Sequence, residues 1–567
     1  MRWRVRYRAG TRGSLAALLG VVAVMGGACA TGGERVVRPA PPGAVVGGIL
    51  EVAIPEPAAI DPGNAFEPMG TMIARLVCDT LLDIDRETGE LVPALAESWQ
   101  VLDGGRRIVL RLREGVRMHD GTELDGQDVV YALSRAASAA FAGQAADLLA
   151  PIDGYAVIRG QQETDFAHHR ERLRGVRVLS GRTVEVRLSQ DAPPQADLVR
   201  LFTHPVTAPI SSEAAEADPR GFARQPACAG PYRVAAPWEP GDHRLRLERF
   251  EDYHASNLAW TRGGAGYADE LRFTFTADPR LLAPQAGPPA LLDVHLQLLG
   301  PGHDRVGGGR RVASAVGASV DYVGLPAGTF PAPVRVALSQ ALDRGAIADD
   351  VFGGERAPAT GFLPPTVGAE TFRDDACGPS VPTGGDVAAA RATLAAAGQD
   401  LGARLTIAFN DELRNRDLVE AVAAQWERAF GLTVRLQPLS WAAFLERGAE
   451  VEGFDVPFRL SWSAPYPSAD PYLFPLFHTA GTGRTNLGGF TDPTFEEALE
   501  DAREATEAAD RVLAYRALED RLCDLMPAIP VTFDVVRWAV AAGVEGTGRM
   551  LVDPVTAEPM LREVYVP

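Results

Sequence analysis

Histidine, cysteine, lysine and paired carboxylates carry most side-chain chemistry, and this chain uses them sparingly. All 55 basic residues among the 567 are arginine, and no lysine occurs. That excludes chemistry needing a side-chain primary amine: a P-loop phosphate lysine, a pyridoxal Schiff base or a Ser-x-x-Lys acyl enzyme. With arginine, alanine and glycine all abundant, the missing lysine reads as a compositional bias on a solvated surface. Nine histidines include no His-Glu-x-x-His, and His168-His169 stand beside Asp165 and Glu171 in a charged stretch that reads as a solvated helix face. No Gly-x-Ser-x-Gly elbow exists, and Gly481-Thr-Gly483 lacks the last glycine of a dinucleotide fingerprint. The acid pairs Asp349-Asp350 and Asp374-Asp375 are adjacent, as in solvated loops, with no partner spaced to converge for acid–base work. No catalytic residue, cofactor or metal site is therefore expected.

The N-terminus carries a stronger signal. Arg2, Arg4, Arg6, Arg8 and Arg12 come without an acid, and Ser14 to Ala28 form a small, apolar run ending Gly26-Gly27-Ala28-Cys29. This is the pattern of an export signal, too short for a comfortable membrane span. A cysteine after small residues, followed by Ala-Thr-Gly-Gly, resembles a bacterial lipobox, although Gly26 stands where leucine is usual. Cys29 is the expected lipidation site, with simple secretion as the alternative. Cleavage before Cys29 removes five arginines and takes the net charge from −19 to −24. So acidic a chain repels a polyanion, which excludes nucleic acid as the expected partner. Lipidation leaves Cys78, Cys228, Cys377 and Cys523, an even four in an oxidising compartment. Three pairings stay open; if the body has mobile lobes, bridges within a lobe favour 78–228 and 377–523. No Cys-x-x-Cys spacing calls for zinc.

These residues need elements to position them. At roughly 150 residues per domain the length implies three or four structural units. Residues 30–43 form a Pro/Gly-rich tether. ILEVAI from Ile49 alternates as a strand and Asp61-Pro62 closes it with a turn; a helix is expected over 71–82. Hairpins are expected at 99–113, turning at Asp103-Gly104-Gly105, and at 175–189, turning at Ser180-Gly181-Arg182. Two further strands lie at YRVAAP and HRLRLERF. Helical periodicity marks 334–352, 386–398, 414–430 and 492–526, with strands at 404–409, 432–439 and 529–535. Leu418, Val422, Trp426 and Phe430 recur every four residues as one apolar stripe, and Gly431 stops that helix before a buried strand. An exported, tethered, multi-domain α/β body suits capture of a small solute between lobes.

Several long motifs then carry a resemblance. Leu91-Val-Pro-Ala-Leu-Ala-Glu-Ser-Trp99, followed by LRLREGVRMHDGTELDGQDVVYAL from 110 to 133, resembles the segment that defines the extracellular solute-binding proteins of family five, the peptide- and nickel-type binding proteins of ABC importers. Further matches follow in order: Ala229-Gly-Pro-Tyr232, Asp252-Tyr253, Val334-Arg-Val-Ala-Leu338 with Leu342-Asp-Arg344, Ala397-Gly398, and Ser461-Trp462 leading to Asp470-Pro471. The resemblance covers 47–567. It implies a bilobal, periplasmic-binding-protein-like α/β fold: two α/β lobes with a hinge, plus an extra subdomain in the first lobe. The implied boundaries are a signal peptide at 1–28, a tether at 29–46, lobe one at 47–66, 205–278 and 537–567, its extra subdomain at 67–204, and lobe two at 279–536.

The resemblance implies a lipid-anchored protein on the outer face of the cell membrane. It would act as a monomer that captures a small solute, foremost an oligopeptide, and passes it to ABC permease and ATPase subunits. A secreted hydrolase, a sensor domain on the same fold, or a binder of a sugar or metal chelate are the alternatives. His119-Asp120-Gly121 reads as a tight turn, and Arg335 with Asp343 as a helix-face pair. The ligand is expected against Trp462, with Tyr466, Asp470 and Phe66 completing the lining. Arg459 matches an arginine that in peptide-binding relatives meets a peptide carboxylate through its bidentate fork. Those relatives usually place an aspartate for the peptide amine three residues after this tryptophan, where Pro465 stands here. An ammonium left unpaired in a dry cleft is costly, so either Asp470 bends back to serve or the ligand has no free amine.

Overall fold

Two long antiparallel strands, Arg311–Gly324 and Ala528–Val540, run through the middle of an eleven-stranded sheet. The computed structural model describes residues 47–85, 89–139, 144–160, 172–253, 266–275, 292–296, 311–412, 414–450, 453–540 and 561. Cys29, the tether and His168-His169 lie outside them. Beyond the first long strand come Phe458–Ser463, Arg404–Asn410 and Thr433–Leu439. Beyond the second come Leu292–Leu296, Ile49–Ile54, Glu270–Phe275, Arg244–Arg249 and Tyr232–Val234. The short strand Arg356–Pro358 also pairs with Ala528–Val540.

Each half of the sheet buries its own core. Leu50, Val52, Ile54, Leu271 and Phe273 anchor one; Val323, Ile407, Trp426, Phe444 and Leu473 belong to the other. The long strands feed both, because Ile529, Val531 and Phe533 lie in the second core while Val536 lies in the first. Between these contributions the strand pairing slips, with register shifts from Val316 to Val320 and from Asp321 to Tyr322. Two cores joined by strands with irregular pairing have the geometry of a hinge. A third core lies beneath the four-stranded sheet Ala96–Leu102, Arg107–Leu112, Thr183–Arg187 and Val176–Ser180, and it takes in Tyr466 from the far half.

Local chemistry explains the elements. In helix Asn415–Phe430 the stripe Leu418, Val422 and Trp426 is buried, Trp426 Nε1 donates to Leu338 O at 2.9 Å, and Gly431 takes the left-handed cap at φ +71°. Helix Gly126–Ala136 opens on a reciprocal capping box between Asp125 and Asp128. His119-Asp120-Gly121 is the tight turn expected, closed by Gly121 N to Met118 O at 2.9 Å. It also docks on the first core: His119 N donates to Cys228 O at 2.8 Å and Nε2 lies 3.1 Å from Gly230 O. Burial there pushes the imidazole down to about 4, so it is neutral at pH 7. The disulfides are Cys78–Cys228 in the first core and Cys377–Cys523 in the second, the pairing that within-lobe bridging favours.

Three expectations are corrected. The helix expected at 71–82 runs Pro68–Val77, because Glu67 caps it by accepting from Gly70 N at 2.6 Å and Cys78 leaves it in extended conformation. The span 492–526 is two helices, Pro493–Glu504 and Ala508–Leu525, since Arg511 Nη1 donates to Ala505 O and Thr506 O, both at 2.8 Å, and satisfies the carbonyls of the break. Asp343 does not pair with Arg335; it caps the turn after it, accepting from Ala346 N at 2.8 Å, while Arg335 Nε is buried without a hydrogen-bond partner. Its neighbour Arg344 does the packing instead. It is fully buried and donates to Pro530 O, Ser339 O, Leu342 O, Pro382 O and Ser339 Oγ.

Candidate functional site

A cavity of about 530 Å³ opens beside the slipped region of the long strands. Asn410 reaches it from the carboxyl end of strand Arg404–Asn410, which runs parallel to Thr433–Leu439. Arg414 reaches it from the residue that opens helix Asn415–Phe430. Open α/β sheets form their ligand crevices at such strand ends. Arg459 comes from strand Phe458–Ser463, Arg356 from the short edge strand, and Asp534 to Arg537 from the long strand between the cores.

The charges are arranged in pairs. Arg459, only 6% exposed, is ion-paired with Asp321, which also accepts from Thr532 Oγ1 at 3.2 Å and lies 3.4 Å from Arg356 Nε. Arg414 donates to Glu355 at 2.9 Å and to Asp417 at 2.8 Å, and its guanidinium lies 4.6 Å from the Phe352 ring centre. Asp534 accepts from Ser319 N at 2.6 Å across the register slip, where a side chain at Gly317 would collide with its carboxylate. Burial pushes the Asp534 carboxyl up to about 6, against the Ser319 hydrogen bond and Arg356, which lower it, while Asp321 adds to the rise. Trp441, 41% exposed, adds apolar surface to the lining and stacks on Phe444 at 5.8 Å. Two buried atoms in the lining residues, Arg459 Nε and Asn410 Oδ1, have no hydrogen-bond partner, a state costing about 1–3 kcal/mol each.

Of the residues singled out from sequence, only Arg459 lines this cavity. Trp462 is half-buried against the second core and donates Nε1 to Pro471 O at 2.7 Å. Tyr466 and Asp470 belong together but elsewhere: Gln195 Nε2 donates to Tyr466 Oη at 2.5 Å and to Asp470 Oδ2 at 2.7 Å. Asp470, 1% exposed, also has Arg503 Nε 2.8 Å from its Oδ1. Beside it Asp197 binds Arg511 at 3.0 Å and accepts from Ser468 Oγ, so a buried polar network ties the 195–197 segment to 466–511. Phe66 is 46% exposed in the loop before helix Pro68–Val77 and is not part of the lining. Sequence reasoning did not single out Phe352, Arg356, Asn410, Arg414, Trp441 or Asp534. The available signal was the strand-to-helix junction after Asn410. Among the described residues no group of three or more His, Cys, Asp or Glu could hold a metal ion.

Similarity to known proteins follows the same outline. The sequence profile of the bacterial extracellular solute-binding proteins, family 5 Middle, matches residues 90–484. The chain is 25% identical over 503 residues to the probable deoxycholate-binding periplasmic protein YgiS of Escherichia coli strain K12, spanning 84% of this chain and 86% of that one. It is 24% identical over 500 residues to the glutathione-binding protein GsiB of the same strain, with the same spans. In three dimensions it is similar to the periplasmic murein tripeptide binding protein MppA in its unliganded open form. The TM-score is 0.74 at 21% identity, covering 92% of this chain and 98% of that one.

Proposed function

Because the chain belongs to the bacterial extracellular solute-binding proteins of family 5, we propose that it is the lipid-anchored, solute-capturing subunit of an ABC importer. It is a substrate-binding protein with the two-lobed periplasmic-binding-protein fold. In this reading Cys29 is acylated, residues 30–43 hold the body off the outer face of the membrane, and the monomer delivers a solute to a permease and its ATPase. The protein binds and does not transform its ligand. An oligopeptide-like solute is the leading ligand, supported by relatives named for glutathione and a murein tripeptide. A non-peptide solute is the second reading, favoured by the relative named for deoxycholate.

The observation that carries the proposal is the position of the cavity. It is lined by Val535 and Val536 where the long strand passes from one core to the other, so a solute seated there touches the segment that must flex when the lobes move. A ligand favours the closed arrangement only by binding it better than the open one. The test is thermal unfolding of the mature protein against a solute panel. A true ligand at about 100 times its Kd is expected to add roughly 2.7 kcal/mol of stability. If no peptide raises the melting temperature while another solute class does, the peptide reading fails and solute capture stands.

A further inference from the structure

Every residue that lines the cavity falls within 352–537. None of the described residues between 47 and 275, which build nearly all of the first and third cores, reaches it. Capture between lobes needs a second wall, so those cores must advance over the cavity. They advance together. Helix Gly126–Ala136 feeds both, with Tyr131 and Ala132 in the first core and Val129, Val130 and Leu133 in the third. Arg135 on that helix grips Asp61 through a buried two-pronged ion pair at 2.9 and 2.5 Å, and Asp128 accepts from Ser212 N at 3.0 Å and Ser212 Oγ at 2.8 Å. The third core therefore travels with the first, and what it travels past is the second. There it is held. Gln195 caps and Asp197 opens a short 3-10 helix, Ala196–Thr203, whose Leu198, Leu201 and Phe202 lie in the third core. From this one turn Gln195 donates to Tyr466 Oη and to Asp470, while Asp197 accepts from Ser468 Oγ and pairs with Arg511. Around those partners, Ala464, Ala469 and Tyr515 belong to the second core. Burial raises the Asp197 carboxyl, but Arg511 and Arg200 outweigh it and hold it below its ordinary value, so the buried pair is ionised. None of these residues lies on the long strands, the axis about which the cores would turn. Hydrogen bonds of 2.5 to 3.0 Å survive only small displacements, so turning about that axis breaks them.

We infer that this network is a latch: it holds the first and third cores away from the cavity in the empty protein, and capture of a solute releases it. The inference rests on the solute-capture reading and adds what sets the affinity, because part of the binding free energy of any solute goes into separating Gln195 and Asp197 from the second core. A weaker latch leaves more of the empty chain in the capturing arrangement. Apparent affinity rises with that fraction.

Small-angle X-ray scattering of the empty mature protein, combined with calorimetric titration of glutathione and of deoxycholate, tests it. Asp197→Asn keeps the shape of the side chain but leaves Arg511 buried without its counter-charge, which disfavours the latched arrangement. The empty variant is expected to have a smaller radius of gyration than the empty wild type, and to bind whichever of the two solutes the wild type binds at least about tenfold tighter. Ser468→Ala, which deletes one hydroxyl, should shift both readouts the same way by less, and it decides alone if Asp197→Asn does not fold. A merely structural fastening would behave otherwise: loosening it would lower the melting temperature and leave affinity unchanged or weaker. Affinity unchanged or weaker in the variants, or an empty radius that stays the same or grows, would overturn the inference while leaving solute capture intact. If the wild type binds neither solute, the scattering of the empty proteins decides on the same criterion. Failure of the capture reading looks different: a wild type that binds no solute of any class and whose radius none of them changes.

Discussion

Replacing Arg344 by alanine is expected to lower the unfolding free energy by at least about 4 kcal/mol. The side chain is 0% exposed and its hydrogen bonds reach four carbonyls and one hydroxyl, from the helix ending at Gln340, the loop at Pro382 and the long strand at Pro530. Among the described residues no carboxylate pairs with it; burial pushes the guanidinium down to about 9, which still leaves it charged at pH 7. Alanine would leave buried acceptors without donors and a void the surrounding strands cannot fill. Lysine keeps the charge but lacks the planar fork, so Arg344→Lys should recover only part of the loss. Urea unfolding followed by circular dichroism reads the difference, and a loss below about 1 kcal/mol would show that water replaces the guanidinium without penalty.

The disulfides should have effects of similar size, each confined to one core. Cys78 and Cys228 are 150 residues apart, Cys377 and Cys523 are 146 apart. Closing loops this long restricts the unfolded chain by roughly 5 kcal/mol in the chain-entropy account. Cys78→Ala with Cys228→Ala is expected to destabilise the first core, which contains both residues, and Cys377→Ala with Cys523→Ala the second. Scanning calorimetry of the two double variants should show the main transition lowered in both, with reductant adding nothing to whichever bridge is already absent. A transition unmoved by either pair would mean that the cores are stable without their staples.

Much of the fold was legible because it depends on near neighbours in sequence. The stripe Leu418, Val422, Trp426 with Gly431 after it specifies a helix and its end within one window, and Asp125 with Asp128 specifies a helix start. The family resemblance rested on equally local runs. The break between Glu504 and Ala508 was not legible, because it is stabilised by Arg511 reaching back to two carbonyls while the periodicity continues across it. Of the residues that line the candidate cavity, Arg459 alone had been named from the sequence as a ligand contact, and its partner Asp321 lies 138 positions away. Asp470 stood in the sequence as one of two ways to meet a ligand amine, and nothing near it announces Gln195, 275 residues earlier, which holds it instead. Phe352, Asn410 and Trp441 converge from separate segments, each with an ordinary local role as core residue, strand end or helix start. Local patterns specify elements; which side chains meet in a cavity is decided by strand order, and no window of the sequence contains that.

Solute capture itself is tested most directly by native mass spectrometry of the mature protein purified without denaturant. The expected spectrum shows one small solute per chain, released chemically intact on denaturation, with the emptied and refolded protein regaining its melting temperature when that solute is returned. A chain that carries nothing and gains no stability from any solute, or one that releases its occupant chemically changed, would contradict a binding role.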